Sequence, residues 1–229
     1  MKAQAHGQSS AHDEQNAIWS GERSDAVAAA VRAVVPAGLT GLDYGCGPGH
    51  IGLRLRDHFA SLSLVDASAD VIAALADTVA AHPSLRAIPL DLTVEEPPER
   101  VDCVVASMSF HHVRDTAALL DGLARAIVPG GWLVVVDFDA DHGELHAAES
   151  AFEGYDGFDR AELAATITAH GFEVTSVTDV WSGQRWVLDR LIDYTLFMIV
   201  ARRSHGSEAA SCDDGSRIRI VTEGKKRFR

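Results

Sequence analysis

A chain of 229 residues, 47% of them apolar, can bury one sizeable core and carry a tail, and is short for two full domains. Its formal net charge of −13 argues against a nucleic acid or an anionic membrane as partner of the main body. Its only lysines are Lys2, Lys225 and Lys226, which excludes a Walker A loop, a lysine Schiff base and a Tyr-x-x-x-Lys pair from the body.

Residues 1–15 are polar and are expected to fray. They have no apolar signal-type core, and no run in the chain approaches membrane-spanning length. Cys46, Cys103 and Cys212 have neither metal nor disulfide spacing, so a cytoplasmic protein is expected. Ser24 or Asp25 can cap a helix that runs to about Val35, with Val27, Val31, Val34 and Val35 on one side. Leu39–Tyr44 reads as the first strand. It runs into Leu42-Asp43-Tyr44-Gly45-Cys46-Gly47-Pro48-Gly49-His50, a glycine loop ahead of a helix over Ile51–His58. Glycines at alternate positions allow close backbone approach to a ligand, and the helix start behind them offers free N–H groups. An acid two positions before the first glycine suits a ligand that carries a cation, not a phosphate alone.

Ser61–Asp66 reads as the second strand, followed by an alanine-rich helix from Ala69 to Ala81. Arg86–Leu90 is the third strand, ending at Asp91. Val101–Ser107 is the fourth, apolar along nearly its whole length as a buried parallel strand should be. A helix over Thr116–Val128 stops at Pro129-Gly130-Gly131, and Trp132–Phe138 is the fifth strand. Residues 140–157 are acidic and lack periodicity. Asp159 can cap a helix over Ala161–His170, stopped by Gly171. Phe172–Val180 and Tyr194–Ala201 are the last strands, with no periodic helix between them, which suits an antiparallel pair. Strand and helix in alternation predict a doubly wound α/β sheet. Arg217–Val221 alternates like an edge strand, and Lys225–Arg229 is a basic terminus read as solvated.

The glycine loop resembles motif I of the class I S-adenosylmethionine (SAM) methyltransferases, D/E-x-G-x-G-x-G. Gly47-Pro48-Gly49-His50-Ile51-Gly52 also fits the dinucleotide pattern G-x-G-x-x-G, with Asp66 about where that pattern wants its acid. The resemblance to the methyltransferases continues through acids that end strands two and three, Asp66 and Asp91. It then takes in Ser107-Met108 after strand four and the turn Val128-Pro129-Gly130-Gly131-Trp132-Leu133. An NAD site would give no reason for Asp43, Asp91 or the Pro-Gly-Gly turn.

The resemblance, over about residues 39–201, implies a Rossmann-like seven-stranded sheet of order 3-2-1-4-5-7-6 with strand seven antiparallel. It implies SAM as cofactor, S-adenosylhomocysteine (SAH) as product and a small molecule as methyl acceptor. Asp43, Gly45, Cys46, Gly47 and Gly49 then surround the methionine end. Asp66 and Ala67 lie at the ribose, Asp91 and Leu92 near the adenine, and Ser107 and Met108 at the ammonium group. Trp19, in an N-terminal segment 1–23, is expected to belong to a lid, and the body to span 24–202, with a tail over 203–229.

Phe110-His111-His112-Val113 resembles small-molecule methyltransferases of the ubiquinone/menaquinone-biosynthesis type, with His111 or His112 as a general base. Residues 140–157 are expected to form a substrate lid, with Phe152, Tyr155 and Phe158 as apolar walls and Trp181, Arg185 and Trp186 opening on the same end. His142-Gly143-Glu144-Leu145-His146 is not H-E-x-x-H, and no metal is expected. The other class of function open to such a chain is a SAM- or SAH-binding regulatory or assembly protein. An aminopropyltransferase is disfavoured by the lack of an acidic substrate motif.

Overall fold

The computed structural model describes residues 2–205. The predicted strand at Arg217–Val221, the basic terminus and Cys212 lie outside the described residues. The chain runs α1 (Lys2–Val34), β1 (Thr40–Tyr44), α2 (Gly52–Leu55), β2 (Ser61–Asp66), α3 (Ala69–Ala74), α4 (Ala76–Ala80), β3 (Leu85–Pro89) and β4 (Val101–Ser107). After a 3-10 turn at Phe110–His112 come α5 (Thr116–Ala126), β5 (Ile127–Phe138), α6 (Arg160–Ala169), β6 (Phe172–Val187) and β7 (Arg190–Arg203).

The strands form one seven-stranded sheet in the order β3-β2-β1-β4-β5-β7-β6. Pairings from β3 through β5 are parallel, and β7 runs antiparallel to both β5 and β6. This is the predicted topology. Alternate residues of the central strands feed two cores. Cys103, Val105, Val134 and Val136 face the layer of α1–α4, where Val27, Val31, Leu55 and Ile72 pack. Val104, Ala106, Leu133 and Val135 face α5 and α6, meeting Leu119, Leu120, Leu123, Leu163 and Ile167. Strands buried on both faces need the near-continuous Val/Leu run that β4 and β5 carry. Each fully buried Val or Leu contributes about 2 kcal/mol.

Caps set the helix starts. The Asp115 carboxylate accepts from Ala118 N at 2.9 Å to open α5, and Asp159 accepts from Ala161 N and Glu162 N at 2.8 and 3.0 Å to open α6.

The elements differ from expectation at several places. Helix α1 does not begin at Ser24 or Asp25. Ser24 is buried, and its hydroxyl donates back to Ser20 O at 2.7 Å, a bond made inside a helix and not at its cap. The segment ahead of it is held by tertiary contacts. Asn16 exchanges two hydrogen bonds with the Trp186 backbone, at 2.8 and 2.9 Å. His12 stacks on the Trp186 ring at 3.9 Å, and an Arg23 N–H donates to the Tyr194 hydroxyl at 2.9 Å. The predicted helix over Ala69–Ala81 is broken at Leu75 into α3 and α4, and the one over Ile51–His58 shrinks to α2. Pro129-Gly130-Gly131 lies inside β5, at a register shift between Val101 and Cys103 of β4. Strand β6 runs on to Val187, so Trp181, Arg185 and Trp186 belong to a long hairpin with β7.

Candidate active site

Strands β1, β2 and β4 end on one edge of the sheet, where parallel α/β sheets bind ligands. A cavity of about 580 Å³ opens there, lined by Tyr44, Gly45, Gly47, Asp66, Ala67, Asp91, Thr93, Met108, Ser109 and His112 with Val113, Arg114 and Asp115. Its size suits a nucleoside-sized ligand.

The glycine loop is shaped by backbone that needs glycine. Gly45 has φ 66°, and a Cβ there would stand 2.4 Å from Ser109 Cβ. Ser109 is locked in place, its hydroxyl donating to Tyr44 O at 3.0 Å. Asp66 ties the loop to the next element. One carboxylate oxygen accepts from Gly47 N at 3.0 Å and the other from Ser68 N at 2.9 Å. Each oxygen keeps a lone pair for a ligand hydroxyl. Asp91 is similarly braced, accepting from Thr93 N and Thr93 Oγ1 at 2.9 and 2.7 Å. Met108 adopts φ 55°, a conformation that costs a non-glycine residue about 1–3 kcal/mol and recurs at ligand sites.

The structure gathers Gly45, Gly47, Asp66, Ala67, Asp91 and Met108 around this cavity. Asp43 lies behind it, buried, its carboxylate accepting from Gly52 N at 2.9 Å. Burial pushes the Asp43 carboxyl up to about 7, the Gly52 N–H pulls it down in part, and the charge of Asp66 pushes it up again. Its place is the underside of the loop. Cys46 and Leu92 are core residues next to the lining, and burial raises the Cys46 thiol far above its usual range. Ser107 and Gly49 adjoin the lining without forming part of it. Trp19 is brought elsewhere, into a cleft between α1 and the β6–β7 hairpin with Arg185 and Tyr194.

A second cavity, of about 620 Å³, shares His112 and Arg114 with the first and is walled by residues 148–154. The segment after β5 is strapped over it. Tyr155 N donates to His111 O at 2.7 Å, and the Tyr155 hydroxyl donates to Arg114 O at 2.9 Å. Gly154 permits this approach, since a Cβ there would meet His111 O at 2.0 Å.

His111 is 2% exposed, and its Nδ1 lies 2.8 Å from Asp137 Oδ1 at the end of β5. Asp137 also accepts from His111 N at 3.2 Å. His112 is exposed and faces both cavities. Burial on its inner side, and then the neighbouring His111 and His146, hold its imidazole below the ordinary value. Sequence reasoning missed Tyr44, Thr93, Asp137 and His146. Asp137 was detectable as a lone acid closing the Val-Val-Val-Asp-Phe run of β5. His146 gives no such signal, because His142-Gly143-Glu144-Leu145-His146 lacks a metal-binding spacing.

A sheet of this order, with a braced glycine loop and carboxylates at the tips of its parallel strands, defines a nucleoside-cofactor domain. The sequence profile of the family described as "Methyltransferase domain" matches residues 19–177. The chain is 37% identical over 108 residues to an uncharacterized methyltransferase of Mycobacterium tuberculosis, covering 46% of this chain and 54% of that protein. It thus spans about half the length of the curated relatives it matches. Its fold superposes on the Burkholderia thailandensis 1,6-didemethyltoxoflavin-N1-methyltransferase, with SAH bound, at TM-score 0.65 and 17% identity, covering 87% of both chains. It also superposes on the N-methyltransferase NodS of Bradyrhizobium japonicum, in complex with SAH, at TM-score 0.60 and 14% identity, covering 80% of this chain and 85% of that one. The chain belongs to the methyltransferase-domain family. Among the described residues no helix is long and apolar enough to cross a membrane.

Proposed function

We propose that the protein transfers the methyl group of SAM to a small-molecule acceptor. The observation that carries this reading is the pairing of the cavities: one of cofactor size with Asp66, Asp91 and the glycine loop on its wall, and a second meeting it at His112. SAM supplies an electrophilic methyl on a sulfonium. A lone pair of the acceptor attacks the methyl carbon, the carbon–sulfur bond breaks, and its electrons neutralise the sulfur, giving SAH. What this chain does is hold the partners in line and exclude water.

In this reading Gly45, Gly47 and Gly49 cradle the methionine end, with Asp43 and Cys46 packed behind them. Asp66 accepts from the ribose hydroxyls with Ala67 beside it, and Asp91 and Leu92 flank the adenine. The backbone at Ser107 and Met108 meets the ammonium. Of the two histidines, His112 has the access a proton acceptor needs, while His111 is engaged by Asp137. The bound nucleoside and the small-molecule acceptor are the partners, in a cytoplasmic setting. The ubiquinone-type resemblance of Phe110–Val113 does not name the acceptor, since a shared fold does not carry a substrate with it. A non-catalytic SAM binder has no need of the second cavity.

The test is release of SAH from SAM on a panel of hydroxyl, amine and acidic small molecules. At least one acceptor should yield a stoichiometric methylated product. Tight SAM binding with no transfer to any class of acceptor would favour the binding protein instead.

A further inference from the structure

Three histidines converge at the wall between the cavities. His111 comes from the 3-10 turn after β4, His112 follows it, and His146 arrives from the segment after β5. One ring nitrogen of each lies within 4.8 Å of the others. Their rings are packed, with centroids 4.1 Å apart for His111–His112, 5.2 Å for His111–His146 and 5.9 Å for His112–His146.

Ordinary packing does not account for the polar atoms. His146 is 8% exposed, and its Nδ1 is buried without a hydrogen-bond partner among the described residues. An orphaned buried nitrogen costs about 1–3 kcal/mol unless something satisfies it. His111 is arranged as metal-binding histidines are. Its Nδ1 faces the buried Asp137 carboxylate at 2.8 Å, which fixes ring orientation and leaves Nε2 as the nitrogen it can offer. Phe138 and Phe152 complete an apolar surround, with Phe152 stacked on His146 at 3.7 Å.

We propose that His111, His112 and His146 form a binding site for a divalent transition-metal ion of the zinc type. Imidazole nitrogens around a tetrahedral zinc stand about 3.4 Å apart, so the trio closes by roughly 1.4 Å at most. The exposed His112 has the freedom to make that movement. Three neutral nitrogen donors suit zinc and its neighbours in the first transition row, and not calcium or magnesium. Three protein ligands leave a fourth position, the pattern of sites that take a water or a substrate. His112 lines both cavities, so that position opens toward bound ligands. The ion would be held without cofactor or acceptor, so the proposal does not depend on SAM binding; the His112 nitrogen that it engages is then not the proton acceptor of the transferase.

The test uses the full chain, stripped with chelator, titrated calorimetrically with zinc chloride and followed in the visible range with cobalt(II). One ion per chain at micromolar affinity or tighter is expected, with the intense visible bands of four-coordinate cobalt. His146→Ala and His112→Ala should each weaken zinc binding by at least about a hundredfold, since even supporting residues of metal sites cost ten- to hundredfold. His82→Ala, on the connection from α4 to β3, should leave it unchanged. The His146→Ala protein should still unfold cooperatively and keep its SAH affinity, which separates loss of a ligand from loss of fold. Failure to bind zinc at micromolar concentration, or binding that survives both substitutions, overturns the proposal. Neither result bears on whether SAH binds.

Discussion

Asp66 does two jobs with one carboxylate. It fixes the glycine loop through Gly47 N and the start of α3 through Ser68 N, and it lines the cavity. Replacing it with Asn keeps the shape but removes the charge and one acceptor. A hydrogen bond to a charged group is worth about 1.5–3 kcal/mol, so Asp66→Asn should weaken SAH binding roughly ten- to hundredfold. Unchanged affinity would place the ribose elsewhere. Gly45→Ala forces a left-handed residue against a locked Ser109. It should cost about 2 kcal/mol or more in urea unfolding, with loss of SAH binding. Asp43 carries the pH signature. Its folded value of about 7 lies above the ordinary carboxylate value of 3.8, so over that window the native state keeps a proton that the unfolded chain releases. Its contribution is fully present below the lower value and is lost as pH rises through the upper one. Asp43→Asn should therefore flatten the fall in stability across that window. An unaltered slope would mean that Asp43 is ionised in the folded protein.

At the scale of elements, the hairpin of β6 and β7 is the least expected feature. Its outer half, from Trp181 onward, mixes aromatics with Ser, Gly, Gln and Arg, and it turns at Leu188 with φ 56° where glycine or asparagine would have signalled a turn. That is why a strand ending near Val180 was the natural reading. The same extension explains α1. The first half of α1 is polar and has no apolar stripe to announce it, and it is held by reciprocal bonds between Asn16 and Trp186 on the hairpin. Asn16→Ala removes both, at about 1 kcal/mol each. Hydrogen exchange in the first half of α1 should rise while SAH affinity stays the same, because the cofactor cavity lies elsewhere. Equal protection in the variant would show that other contacts hold the helix.

At the scale of the molecule, the sheet was legible because its signals are local. Apolar runs mark β4 and β5, Asp66 and Asp91 close their strands, and the glycine loop marks the turn out of β1. The cavity lining followed from the same strand tips. Thr93 and Tyr44 were not visible, because one braces Asp91 across a turn and the other depends on a side chain leaving the strand toward the cavity. The histidine trio was less visible still. His146 lies 35 positions from His111 in the chain, and only the strap from β5 back over the 3-10 turn brings the two together. Spacing rules detect ligands that share a helix or loop, and these share neither.

The central claim is that the strand-tip cavity is a site for a sulfonium nucleoside or its product. Calorimetric titration of the purified chain with SAH and with NAD, in parallel with Asp66→Ala, tests it most directly. SAH should bind one per chain at micromolar affinity, NAD should give no heat of binding, and Asp66→Ala should lose most of the SAH affinity. NAD binding in place of SAH, or SAH binding indifferent to Asp66, would contradict it.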